Sequence, residues 1–148
     1  MTLTVWNLIT AIFLALPGIG TMIERQPIVG SPFEYAEDGT RRVGALACWD
    51  RSHIVLFWSD ALTEEGEAHE YMHGLDCADD GLLNGSPGWP RPASYEEALA
   101  IVHRERPGVL SSADVWYAWA GTMGPEPVPT ADAEWCAVMA TLTGRLQP

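Results

Sequence analysis

The spacing of apolar positions changes several times along the chain, and each change marks an element. From Leu3 to Ile23 nearly every residue is apolar, and Val5, Ile9, Ile12, Leu16, Ile19 and Ile23 recur at helical spacing. This predicts a core helix over residues 3 to about 25 that bends or ends at Leu16-Pro17-Gly18. A membrane anchor is the less favoured reading, because Asn7, Thr10, Pro17, Gly18 and Gly20 interrupt the stretch. No positive charge precedes Arg25, so a signal peptide is not convincing either, and a cytoplasmic location is slightly favoured.

The pattern then turns to strands. Ile28 and Val29 precede Gly30-Ser31-Pro32, and Glu37-Asp38-Gly39-Thr40 is a turn signal. Val43 to Trp49 and His53 to Trp58 are apolar runs separated by Asp50-Arg51-Ser52, the pattern of a hairpin. Four helices are predicted after it. The first starts at Thr63 as N-cap and runs through Asp76. The second covers Tyr95 to Arg104, behind a Ser94–Glu97 capping box. Ser111-Ser112 opens the third, which covers Ala113 to about Met123, and the last is capped by Thr130 and runs through Leu142, with Gly144 closing it. The stretch from Asn84 to Pro92 is a long loop rich in Gly and Pro. Helix, small sheet, then helices is an α+β order, and residues 1–148 read as one domain.

Composition narrows the function. Apolar residues make up 47 %, enough for a packed core. Twenty acids against eight Lys and Arg give a formal charge of -12, which repels phosphate backbones and argues against nucleic acid as a partner. Cys48, Cys77 and Cys136 are odd in number and widely spaced, which favours small buried hydrophobes over a disulfide framework or a zinc ribbon, with one bonded pair left open. The tryptophans are spread over several elements and read as core rather than as a binding platform.

The chemistry lies in His69-Glu70-Tyr71-Met72-His73, an HExxH motif on a predicted helix. Residues four apart share a helix face and are separated by about 6 Å along the axis. Two imidazoles so placed can both reach one Zn²⁺ at about 2.0–2.1 Å. Glu70 lies beside the first His, where it can serve as general base toward a zinc-activated water. A catalytic zinc site needs a third protein ligand. The acidic candidates are Asp76, Asp79, Asp80, Asp114 and Glu134. Asp76 shares the face of His69 and His73 but is short and a turn further on, which suits an orienting role. Asp114, on a separate helix that can approach from the opposite side, is favoured, with Asp76 and Glu134 as alternatives.

The stretch His69-Glu70-Tyr71-Met72-His73-Gly74-Leu75-Asp76 resembles the HExxHxLD stretch of gluzincin metallopeptidases of the anthrax lethal factor catalytic-domain type, which include the bacterial Pro-Pro endopeptidases. The resemblance implies a zincin-like fold with a leading helix, a short sheet and the HExxH helix. A later helix then carries an acidic third ligand, which it matches to Asp114 within Asp114-Val115-Trp116-Tyr117-Ala118-Trp119-Ala120. That family has Glu at this position, and a Tyr seven residues earlier that stabilises the oxyanion, where this chain has Pro107. Tyr117, Tyr95 and His103 are the candidates for that role. The expectation is therefore a zinc metalloendopeptidase acting on a peptide or protein substrate, held along the strand near His53 to Ser59 and bordered by the Asn84 to Pro92 loop. The alternative is a zincin-fold binding or regulatory protein without catalytic activity.

Overall fold

The two apolar runs form the expected hairpin, β2 (Gly44–Asp50) and β3 (His53–Trp58), with an irregularity between Cys48 and Asp50. The computed structural model describes residues 23–86 and 88–146. The helix expected over residues 3 to about 25 lies outside them except at its end. There Ile23–Pro27 is a strand, β1, paired in parallel with β3. Its β-bonding partner decides the matter: Ile23 to Pro27 register against Ile54 to Trp58, and this ladder satisfies their backbone better than one more helical turn.

The sheet order is β1-β3-β2, so β3 is central. Both of its edges are paired, which corrects the expectation that the His53 to Ser59 segment could accept a peptide strand; the outer strands are β1 and β2. Central placement also explains the unbroken apolar run. Ile54 packs with Cys77 and Ala78 of the helix below. Val55 and Phe57 face the other way, onto Ile28, Phe33 and Ala47. Both faces of β3 are thus covered, as a continuous apolar strand requires.

Four helices follow: α1 (Glu64–Asp80), α2 (Tyr95–Glu105), α3 (Ser112–Ala120) and α4 (Ala131–Thr143). The α+β expectation holds. Thr63, Ser94 and Ser111 each accept a backbone N–H at the start of a helix, from Gly66, Glu97 and Asp114. Thr130 makes no such bond. α1 runs one turn beyond Asp76 because Cys77 and Ala78 continue its buried stripe, until Gly81 ends it with φ 81°. α3 stops at Ala120, short of the expected Met123, because Gly121 takes the left-handed conformation and its N–H returns to Tyr117 O.

The main core lies among the helices, around fully buried Trp135, Met72, Leu75 and Met139. Trp89 is buried as well, whereas Trp49 is half exposed and stacks on His53. Cys48 of β2 and Cys77 of α1 form a disulfide, with Cα atoms 5.9 Å apart, and Cys136 is free and buried. This corrects the reading of all three as simple buried hydrophobes. The pair meets because α1 lies close on the sheet: a Cβ at Gly74 would fall 2.5 Å from Ile23 Cδ1 and 3.4 Å from Leu46 Cδ1. Among the described residues no helix is long and apolar enough to cross a membrane.

Candidate metal centre

α1 presents the motif because both its start and its core face are fixed. Thr63 caps it, Glu64, Glu65 and Glu67 suit the positive end of the helix dipole, and Ala68, Met72 and Leu75 are locked in the core. His69, Glu70 and His73 are left partly exposed. α4 packs against α1 and brings Glu134 to the two imidazoles. His69 Nε2 is 3.1 Å from Glu134 Oε1, His73 Nε2 is 3.4 Å from Glu134 Oε2, and the two Nε2 atoms are 3.2 Å apart.

These spacings can be compared with what zinc asks. Two donors each about 2.0–2.1 Å from a tetrahedral ion stand about 3.3 Å apart. The three donors therefore match one tetrahedral face, and two imidazoles with one carboxylate are a donor set that zinc favours. The fit is one of geometry and donor type.

The electrostatics of the trio are mutual. Burial disfavours a charged His69, but the hydrogen bond and charge of Glu134, with Glu70 behind it, prevail and hold its pKa above the ordinary value. Burial likewise opposes the charge on Glu134, yet hydrogen bonds from His69 and His73 hold its carboxyl far below the usual range.

The remaining candidates separate clearly. Asp114 does not join the trio: it is exposed in the first turn of α3, where a carboxylate is favoured by the helix dipole alone. Glu134 takes the place expected for it. Asp79 accepts from Ser86 Oγ, and Asp80 from Asn84 Nδ2 and Leu82 N–H, so both serve the loop after α1. Asp76 is buried, accepts from Gly85 N–H at 2.8 Å, and is pushed by burial up to about 6. Tyr95 donates to Ser112 O and packs on Trp116, while His103 is exposed on α2. Tyr117 is the one of the three that senses the site. Its pKa is raised first by burial and then by the charges of Glu134 and Glu70.

Glu134 had a signal in the sequence. Three of its helical neighbours, Ala131, Ala137 and Val138, are apolar, although Thr130 and Thr141 share the same face.

Two hollows flank the trio. One, of about 440 Å³, is lined by Arg42, Ala45, Leu46, Glu70, His73 and Glu134. It lies between α1 and the outer strand β2, and Leu83, just after α1, also borders it. The other, of about 500 Å³, reaches His69 and is walled by Val109, Leu110, Val138 and Leu142, with Arg106 and Glu65 also lining it. No protein-family model, no curated protein and no solved structure matches this chain.

Proposed function

We propose that this chain is a zinc-dependent metalloendopeptidase acting on a peptide or protein substrate. His69, His73 and Glu134 would hold the metal, and Glu70 would be the general base. The observation that carries this reading is the spacing of the three donors, 3.1 to 3.4 Å, on an HExxH helix and its neighbour. Held by these three residues, zinc would supply Lewis acidity toward a carbonyl oxygen and toward water.

Glu70 lines the hollow beside His73 and Glu134, where it can take a proton from water and pass it to the leaving amine. Tyr117, whose ionisation the charges of Glu134 and Glu70 oppose, is the candidate hydroxyl to steady charge on the carbonyl oxygen. β2, an outer strand whose Ala45 and Leu46 line the same hollow, offers its backbone edge to an extended peptide. The apolar hollow beside His69 suits an apolar substrate side chain. The Cys48–Cys77 bond favours an oxidising compartment over the cytoplasm.

The test is elemental analysis of the purified chain and its variants. About one zinc per chain is expected in the parent and in Asp114→Ala, with loss in Glu134→Ala. Glu70→Gln should retain zinc and cleave no peptide library that the parent cleaves. A parent that takes up no zinc ends the peptidase reading, and retention of zinc by Glu134→Ala ends the assignment of that ligand.

A further inference from the structure

Asp76 is the one buried charged side chain among the described residues. The proposed chemistry does not use it. Its two oxygens have different surroundings: Oδ2 accepts from Gly85 N–H at 2.8 Å, while Oδ1 is buried with no partner. One helical turn earlier, His73 Nδ1 is also buried with no partner. Residues three apart on a helix are neighbours. A buried acceptor and a buried ring nitrogen, both unsatisfied and on one face, are complementary, and leaving either alone is costly.

We infer that Asp76 is a positioning residue for the metal centre, acting through His73 and through the loop that backs α4. On the His73 side, Oδ1 is the acceptor for Nδ1–H through one water or after a small side-chain rotation. That fixes the tautomer in which Nε2, the atom facing Glu134, carries the free lone pair. On the loop side, Oδ2 pins Gly85, and Gly85 sits so close to α4 that a Cβ there would lie 2.7 Å from Asp132 O. Gly88 lies similarly against Cys136 Sγ. Asp132 and Cys136 bracket Glu134. One carboxylate thus serves the ligand on α1 and the helix that supplies the ligand on α4.

This inference rests on the zinc reading, and Asp76→Asn separates the two. Asn retains one carbonyl oxygen for Gly85 N–H, but its NH₂ offers His73 Nδ1 a donor where an acceptor is needed. The expected result is zinc affinity about 10–100-fold weaker by chelator competition, as for other partners of metal-binding histidines. The metal-free Asn variant should melt no lower than the parent at pH 7.5. Asp76→Ala should lose both affinity and metal-free stability. If Asp76→Asn binds zinc as tightly as the parent, Asp76 only anchors the loop and the inference is wrong. If the parent itself binds no zinc, the metal-site reading falls and this inference with it.

Discussion

Reducing the Cys48–Cys77 disulfide should lower the stability of the whole domain by an amount set by the loop it closes. The two cysteines are 29 residues apart. In the chain-entropy account, a loop of that size takes about 3.6 kcal/mol of freedom from the unfolded chain. For a chain of this length that corresponds to a melting shift of roughly 10 °C. The assay is thermal unfolding followed by circular dichroism, with and without a dithiol reductant, alongside the Cys48→Ala/Cys77→Ala double variant. Alkylation in denaturant checks the bond itself: one cysteine, Cys136, should react before reduction and three after it. The reasoning is refuted if three react without reductant, or if the reduced chain melts within about 2 °C of the oxidised one.

Three further outcomes are expected. Asp76 ionises near 6 in the fold against about 3.9 unfolded, so its contribution is present below about 3.9 and lost as pH rises through 6. The loss is about 3 kcal/mol at about 1.36 per unit. Urea titrations of metal-free protein between pH 4 and 7 should show a loss that Asp76→Asn lacks. The raised His69 adds in the same direction, fully present below about 6.5 and lost above it, and the depressed Glu134 opposes at acid pH. Gly85→Ala should cost more than the roughly 1–2 kcal/mol of a left-handed alanine, because its Cβ meets Asp132 O. Gly39→Ala, with a similar φ and open space around it, should cost only the backbone part, and equal urea midpoints would contradict this. Tyr117→Phe should retain zinc and lower kcat by about 10²-fold with little change in KM, and an unchanged kcat would remove Tyr117 from the chemistry.

Local signals in the sequence were strong where local physics decides. The hairpin, the HExxH helix and the Ser94 and Ser111 caps are written in alternation, spacing and hydroxyl side chains, and all are present. Signals failed where distant segments decide. Ile23 to Arg25 reads as the end of the first helix by spacing, but these residues pair in parallel with β3. Asp114 is favoured in the sequence by its separate helix and by the resemblance, whereas its exposed first-turn position explains it without a metal. Glu134 is marked in the sequence only by its apolar neighbours Ala131, Ala137 and Val138. The Cys48–Cys77 pair depends on β2 settling on α1, which no count of cysteines reveals.

That His69 and His73 come from α1 but Glu134 from α4 has a consequence for the newborn chain. During synthesis the histidine helix leaves the ribosome well before its acidic partner, with α2 and α3 still to follow. Until α4 emerges and docks, the two histidines stand without a third donor. A chain released early, or one whose last helix is clipped away, keeps the motif but not the centre. On the proposed zinc reading, such fragments would carry the HExxH motif without the means to hold the metal.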